Sequence, residues 1–203
     1  MADISALGNL NPAEPLDLDI YKSAQEGPSL PRKGRYVVKA PESFPPTAFG
    51  ATRAGFLKVS VDPQIVGPTN EGYTLRFTSV SSKPFKRSGM SVSQLGDYLK
   101  ATGLTSTIAG DPQSQANAVE RTANATYQVD IDWRAYNKNT GFQVEGMEHF
   151  PSDGNGGHQP WTVDPNDFET DESGVVVKDA KTGKPVNKRL RANAVVVRYV
   201  ATS

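Results

Sequence analysis

The chain has 203 residues, and its 22 lysine and arginine residues are balanced by 22 aspartate and glutamate residues. This length fits one domain with appendages or two small domains. The absence of cysteine excludes disulfides, thiol catalysis and cysteine zinc sites, and it suits a reducing cytoplasm, where we expect the protein to act. Because no apolar run approaches the roughly 18 residues of a membrane-spanning helix, we expect no membrane partner.

The first segment, residues 1–33, has scattered proline, glycine and acidic residues without a sustained hydrophobic period. It lacks the basic start and the apolar run of a secretory signal. We interpret it as an extended acidic N-terminal arm that packs on a partner chain, stays disordered, or occupies a basic groove.

Three β-like runs follow the arm. Residues 35–40 are rich in β-branched and aromatic side chains, which predicts a first strand. Residues 56–61 alternate apolar and polar side chains and continue past Pro63, where a proline indicates a bulge or a sheet edge. Residues 73–78 alternate in the same way and predict a third strand.

Two helices are predicted next. Ser91-Val-Ser-Gln94 has the form of a capping box, and Gly103 stands where a helix of this length would end. Asp111-Pro112 predicts the start of a second helix, with aspartate as the cap and proline at the first helical position.

Two strands complete the pattern. Residues 127–134 alternate strictly, which is typical of a half-buried strand, and residues 191–201 predict a last strand that is partly buried on both faces. Residues 137–190 between them are rich in glycine, proline, asparagine and aspartate. A connection of this length tends to be functional or to carry structure of its own, with short strands at 142–150 and 174–178 as candidates.

The resulting order of three strands, helix and two strands is that of the OB-fold, a five-stranded, partly open barrel that often holds oligonucleotides. We therefore predict a mainly β protein with an OB-fold domain at residues 34–203. In this interpretation residues 137–190 are a long insertion between the fourth and fifth strands.

Two segments in this order, Gln94-Leu-Gly-Asp-Tyr-Leu-Lys-Ala-Thr-Gly103 and Arg191-Ala-Asn-Ala-Val-Val-Val-Arg-Tyr-Val200, resemble the single-stranded DNA-binding proteins of tailed bacteriophages, in a divergent branch. The resemblance covers roughly residues 34–202. It implies a protein of phage DNA replication and recombination, in the host cytoplasm, that binds single-stranded DNA with little sequence preference. It also implies replication or recombination proteins as partners of the acidic arm.

Relatives of this kind can carry a small module between the fourth and fifth strands that in some looks like a zinc ribbon. The equivalent segment here has no cysteine, so the resemblance implies no metal at that place. The segment His149-Phe-Pro-Ser-Asp-Gly-Asn-Gly-Gly-His158 holds both histidines of the chain. A structural metal needs three or four ligands at defined spacing, so we interpret this segment as a tight turn.

Binding of a single strand requires a cationic groove for the phosphates and aromatic faces for the bases. Phe85 lies between cations in the run Lys83-Pro84-Phe85-Lys86-Arg87 and is the first candidate for stacking. Tyr36 and Tyr136 are further candidates, the latter because it falls on the polar face of its strand.

Three other aromatic residues are ambiguous. Phe77 and Trp133 have apolar neighbours on the same face of their predicted strands, which indicates core positions, and Tyr199 fits either role. For phosphate contact, Arg76, Arg134 and Arg198 stand out because each lies inside a predicted strand. The full set of candidate phosphate contacts is Arg76, Lys86, Arg87, Arg134, Lys138, Lys188, Arg189, Arg191 and Arg198.

We expect the groove along the second and third strands, with residues 81–89 and 137–190 as its rims. No catalytic motif is found: the chain has no nucleophile elbow, phosphate loop or His-Glu-x-x-His motif. Asp130 and Asp132 share one face of a predicted strand and are interpreted as surface charges. The sequence therefore predicts neither an enzyme nor a cofactor.

A second hypothesis is a phage virion or assembly component, a β-rich head or tail protein. Zero net charge, an extended arm and loops rich in proline and glycine are equally typical of such proteins. The sequence leaves open whether the chain forms a homo-oligomer and whether DNA or RNA is preferred.

Overall fold

The computed structural model describes residues 30–104 and 106–201, so the expectation for most of the N-terminal arm lies outside the described residues. The first half contains β1 (Gly34–Lys39), β2 (Phe49–Ala51), β3 (Leu57–Ser60), β4 (Gln64–Ile65), β5 (Ser79–Ser81), β6 (Phe85–Arg87), β7 (Met90–Val92), α1 (Gln94–Ala101) and α2 (Pro112–Glu120). The second half contains β8 (Thr126–Tyr136), β9 (Gln143–Glu145), β10 (Trp161–Phe168), β11 (Asn187–Arg191) and β12 (Asn193–Val200).

All strand pairs are antiparallel. The main sheet has the order β12-β8-β1-β4, with β9 pairing on the far part of β8. A second sheet has the order β2-β3-β5, and β6-β7 and β10-β11 are separate two-stranded sheets. The prediction of a mainly β protein is confirmed, and none of these sheets closes into a barrel among the described residues.

The chain passes from the second sheet to the main sheet at Pro63. β3 pairs with β2 and β5 in the second sheet, whereas β4, immediately after Pro63, pairs with β1 in the main sheet. Proline has no N–H to donate to a ladder, but the Pro63 carbonyl accepts a hydrogen bond from the Leu75 amide at 2.8 Å. The break expected near this residue is confirmed.

The predicted third strand at residues 73–78 is wrong. Only Thr74 pairs there, in a single bridge to Gln64, and the chain then turns so that Phe77 has a φ of 63°. The real strand, β5, begins at Ser79. Alternation of side chains was present, but the turn after Leu75 ends the strand conformation before a ladder can form.

Both helices form where they were predicted, with one correction at the first cap. Ser93, rather than Ser91, is the N-cap of α1, and its hydroxyl accepts a hydrogen bond from the Gly96 amide at 3.1 Å. Asp111 caps α2 as expected, with the Ser114 amide donating to its carboxylate at 2.8 Å. No helix in the described part of the chain has the length and apolar character required to cross a membrane.

The main hydrophobic core lies between the two sheets and the helices. It includes the inner faces of β8 and β1 together with the apolar side of α1. At its centre the rings of Tyr98, Tyr127 and Tyr199 pack together, with Tyr98 edge-on to both of the others. α1 therefore packs against both β12 and β5, the end strands of the two sheets.

A smaller core joins the insertion to the main sheet. It consists of Trp133, Ala135, Phe150 and Ala192, and the Trp133 indole N–H donates to the Pro31 carbonyl at 2.6 Å. The core position predicted for Trp133 is confirmed. Residues 137–190, here called the extension, contain β9, β10 and most of β11, so the long connection has structure of its own. The remainder of the described chain is called the body.

The two short strands expected in the extension are only partly present. β9 covers three residues, Gln143–Glu145, and the chain then enters a 3-10 turn at Met147–His149. Within residues 174–178 there are only isolated bridges, Thr170 to Val176 and Lys178 to Pro185.

Candidate nucleic-acid interface

A groove of about 810 Å³ lies between the ends of the two sheets. One wall is formed by residues 195–199 of β12, and the other by residues 77–79 and by β6, with α1 between them. Among the described strands, β12 and β5 each pair with a neighbour on one side only. The groove is therefore the gap between two sheet edges, bridged by a helix.

The groove carries more positive than negative groups. Arg87, Lys100, Arg134 and Arg198 line it, and among the residues that the structure describes Asp97 is the single carboxylate in the lining. Arg134 forms an ion pair with Glu145 at 2.7 Å. Within the described residues, neither Lys100 nor Arg198 has an ion-pair partner within 4.0 Å. Lys100 is therefore free to contact an anionic ligand, whereas Arg198 stands opposite Asp130 in the ladder between β12 and β8 and its charge helps to lower the pKa of that carboxyl.

A bulge in β12 determines which side chains face the groove. The register with β8 shifts between Val196 and Arg198, so that Val197 is the extra residue. A bulge interrupts the strict alternation of a strand. Val196 and Tyr199 consequently both pack against the main core, while Val197 is 58% exposed. Arg198 pairs with Asp130 across the ladder and so shares the outer face of the sheet with it, and it lines the groove at the edge of that face.

Phe77 is the most exposed large apolar side chain in the described residues, at 86%. Its turn is fixed from both sides: the Thr78 amide donates to the Asp62 carboxylate at 2.8 Å, and the Thr78 hydroxyl donates to the Leu75 carbonyl at 2.7 Å. Phe77 lines the groove with most of its side chain in solvent. The core position predicted for Phe77 is wrong, because the turn after Leu75 stops the alternation on which the prediction was based.

Two further aromatic rings line the groove. Phe85 is 39% exposed, and the guanidinium carbon of Arg87 lies 5.2 Å from its ring centroid. Tyr199 is half-buried, because its ring packs against Tyr98 and Tyr127 beneath. Burial raises the pKa of Tyr199 above its ordinary value.

The structure brings four of the predicted site residues into the groove, namely Phe85, Arg87, Arg134 and Arg198. Lys86 is adjacent in sequence, but on a strand its side chain points to the face opposite Phe85 and Arg87, and it does not line the groove. Arg76 lies in the turn just before Phe77 and is exposed.

The remaining predicted residues lie outside this groove. Tyr36 packs against the main core, and its hydroxyl donates to the Arg32 carbonyl at 3.0 Å. Tyr136 is 54% exposed at the end of β8. The others lie in the extension or at its base. Lys188 forms an ion pair with Asp167 at 3.4 Å, and the guanidinium carbon of Arg189 lies 4.4 Å from the ring centroid of Trp161. Lys138 and Arg191 are exposed.

Sequence reasoning missed Lys100. Gln94, Asp97 and Lys100 follow one another at intervals of three residues and all line the groove, as residues on one helix face do. That spacing was a usable signal. The rims also differ from expectation: residues 81–89 contribute Phe85 and Arg87, whereas the extension contributes no lining residue.

The tight turn predicted between the two histidines is confirmed. The amides of Asn155 and Gly157 donate to the Asp153 carboxylate at 2.8 and 2.9 Å, and these bonds lower the pKa of Asp153. Ser152 pairs with His158 in an isolated bridge. Within the described residues no group of three or more histidine, aspartate or glutamate side chains could hold a metal ion.

The two aspartates predicted as surface charges on β8 behave differently. Asp130 accepts two hydrogen bonds from Arg35, at 2.8 and 3.2 Å, on the outer face of the sheet. Asp132 is only 8% exposed, so its description as a surface charge is wrong. It accepts hydrogen bonds from the Trp133 and Met147 amides and pairs with Lys33 at 2.9 Å.

No known protein-family model matches the chain, and no curated protein and no solved structure matches it either.

Proposed function

We propose that this protein binds single-stranded DNA through the groove between β12 and β5, largely independently of sequence, in phage DNA replication and recombination. The proposal combines two properties of the groove. Lys100 and Arg198 supply positive charge without ion-pair partners in the described chain, and Phe77 and Phe85 supply exposed rings. Together these are the two requirements for holding a strand by phosphate contact and base stacking.

The observation that carries the proposal is the conformation and exposure of Phe77. A bulky residue with positive φ is a backbone outlier, and the left-handed region costs about 1–2 kcal/mol for a residue with a Cβ. With the ring 86% exposed, little core burial offsets this cost. Outliers of this kind concentrate at ligand-contact sites, so we assign the Phe77 ring to base stacking.

The architecture supports an OB-like interpretation. The chain passes from β3 to β4 at Pro63 and thereby links the second sheet to the main sheet. The ends of this linked system, β5 and β12, face each other across the groove. A curled sheet with one open seam agrees with the partly open barrel of the OB-fold, in which oligonucleotides bind on the exposed strand surface and loops.

The proposal is tested by titrating fluorescein-labelled oligo-dT with the protein and recording anisotropy at two salt concentrations. Affinity should fall steeply with salt, because bound phosphates release counterions. Phe77→Ala should weaken binding by about 1–3 kcal/mol, the usual contribution of one stacked base, with little change in thermal stability. Phe56→Ala is the matched control, since Phe56 is 37% exposed but does not line the groove.

A charge variant tests the same groove independently. Arg198→Gln should lower the slope of log affinity against log salt by about one, as expected for a lost phosphate contact. Arg121→Gln, an exposed arginine at the end of α2, should leave the slope unchanged. Absence of oligo-dT binding at low salt, or equal losses in variant and control, would contradict the proposal. A parallel titration with oligo-U separates DNA from RNA preference.

The alternative, a phage virion or assembly protein, is favoured by one observation. The extension exposes Val163, Phe168 and Val175, at 40%, 39% and 62%. Apolar side chains exposed on a projecting segment mark protein contacts when they are contiguous. Sedimentation of the purified chain would show ordered assembly under the virion hypothesis, and the oligo-dT titration would then show no salt-dependent binding. Under the binding proposal, the acidic residues at positions 1–29 are the segment we expect to contact replication or recombination proteins.

A further inference from the structure

We propose that Asp97 is a positioning residue for the single-strand groove: through Arg87 it holds the Phe85 ring in place for base stacking. This inference rests on the proposed function and deepens it. A carboxylate opposes the binding of phosphates by charge repulsion, yet Asp97 is the acidic residue that lines the groove. Its contacts supply a reason for its presence.

The contact between Asp97 and Arg87 is bidentate. Arg87 Nη1 donates to Asp97 Oδ1 at 3.0 Å, and Nη2 donates to Oδ2 at 2.8 Å. Two parallel hydrogen bonds fix the plane of the guanidinium as well as its distance. The carboxylate sits on the first turn of α1, a rigid element, so the helix determines where the arginine lies.

Arg87 in turn lies against Phe85. Its guanidinium carbon is 5.2 Å from the ring centroid, within the range of a cation–π contact. Phe85 and Arg87 are two residues apart on β6, so their side chains share the face of the strand that borders the groove. The chain of contacts therefore runs from α1 through Asp97 and Arg87 to the Phe85 ring.

The hairpin that carries Phe85 depends on such an anchor. β6 and β7 pair only with each other among the described strands, and all three residues of β6 are exposed. A two-stranded hairpin alone is marginally stable in water. The Arg87–Asp97 pair is the ion pair that connects this hairpin to α1, so its loss should let the ring move out of the groove.

The two explanations of Asp97 predict opposite signs for one substitution. If Asp97 positions Phe85, Asp97→Asn should weaken oligo-dT binding about 2- to 10-fold, the cost of immobilising a released side chain on binding. If Asp97 only adds negative charge, the same variant should bind more tightly. Arg87→Lys keeps the charge but loses the planar fork, and should weaken binding to a similar degree. Arg121→Lys, at the exposed end of α2 and outside the groove, is the charge-preserving control and should change nothing.

A double-mutant cycle distinguishes the positioning of Phe85 from a purely structural role of Asp97. In a Phe85→Ala background, Asp97→Asn should no longer weaken binding, because the ring it positions is absent. Thermal unfolding of each variant by circular dichroism checks that α1 remains folded. If Asp97→Asn destabilises the protein, Arg87→Lys takes its place in the cycle.

The outcomes separate this inference from the proposed function. A loss of affinity that disappears in the Phe85→Ala background supports the inference. Wild-type binding with unchanged or tighter binding by Asp97→Asn overturns it and leaves the proposed function intact. An equal loss in both backgrounds also overturns it, because Asp97 would then act without Phe85. Failure of the wild-type protein to bind oligo-dT overturns both.

Discussion

The body and the extension are held together by different chemistry. The body buries an apolar core that includes Ile65, Leu75 and Val129, each with no exposed surface. The extension shares only a four-residue core with the main sheet and relies on hydrogen-bonded carboxylates. Buried Asp164, for example, accepts hydrogen bonds from the side-chain amide of Asn137, the Thr140 hydroxyl and the backbone N–H of Asn166.

The same contrast appears in the ionisable groups. In the extension and at its base, hydrogen bonds lower the pKa values of Asp132, Glu148, Asp153, Asp167 and Asp179. In the core of the body, burial raises the pKa of Tyr98 to about 12 and also raises those of Tyr127 and Tyr199. Carboxylates with lowered pKa values also lie on the surface of the body, at Asp111 and Asp130, but the body has a large apolar core in addition, whereas the extension has only the small one. The two regions should therefore respond differently to mutation and to pH.

The largest expected effect comes from breaking the small core. Phe150 is 3% exposed, and its ring lies edge-on to Trp133 with centroids 5.5 Å apart. Phe150→Ala should cost about 3–5 kcal/mol, the usual cost of truncating a buried aromatic. Hydrogen exchange should show this loss in residues 137–190 while the strands of the body keep their protection.

Phe168→Ala is the control for that variant, because Phe168 belongs to the same extension but is 39% exposed. It should change exchange by far less. Equal deprotection of body and extension by Phe150→Ala would show that the two regions unfold as one unit and are not stabilised independently.

Acid should weaken the contacts of the Asp132 carboxylate. Burial opposes the charge of Asp132, but hydrogen bonds from Lys33 and from the Met147 and Trp133 amides outweigh it and lower its pKa. The stabilisation from this carboxylate is complete above its unfolded pKa of about 3.9 and is lost as pH falls through the lower folded value. The extension should therefore loosen before the body below about pH 4. Asp132→Asn should produce part of this loss at neutral pH, about 1–3 kcal/mol.

Alkali should act in the opposite order. The pKa of Tyr98 rises from 10.0 to about 12 because its phenol is buried. Its contribution is complete below pH 10 and is lost as pH rises through 12, and a shift of this size corresponds to about 3 kcal/mol. The body should thus lose stability first at high pH. The order can be measured in a Trp161→Phe variant, in which Trp133 is the remaining fluorescent reporter. Its fluorescence and the far-UV circular dichroism, followed against pH, would reveal any reversal of this order.

The sequence predicted the elements whose pattern agrees with their surroundings. β8 alternates because one face packs on the core, and α1 and α2 carry caps that can be identified locally. The third strand was displaced because residues 73–78 alternate like a strand, whereas contacts of Thr78 with Asp62 and Leu75 impose a turn. The contact with Asp62 comes from sixteen residues earlier in the chain, so the alternating pattern of residues 73–78 carries no signal of it.

Four residues of the groove were predictable. Arg134 and Arg198 were expected because each lies inside a predicted strand of a fold that binds ligands on its strand surface, and Phe85 and Arg87 because the ring lies among cations. Their assembly depends on the gap between two sheet edges, which no local pattern encodes. For the same reason the prediction placed the basic residues at the end of the extension, including Arg189, in the site. In the folded protein they do not line the groove.

The smallest expected effect concerns the tyrosine cluster in the body. Tyr127 is 1% exposed, and its hydroxyl has no hydrogen-bond partner in the described part of the chain. The neighbouring Tyr98 hydroxyl, by contrast, is bonded to the Thr122 hydroxyl at 2.6 Å. Tyr127→Phe should leave stability unchanged or raise it by up to about 1 kcal/mol, because it removes an unsatisfied buried group, whereas Tyr98→Phe should lower stability by about 1 kcal/mol. Urea denaturation of both variants measures the difference in their free energies of unfolding. An equal loss in the two would mean that the Tyr127 hydroxyl is hydrogen-bonded in solution. The body, too, would then depend on buried polar contacts.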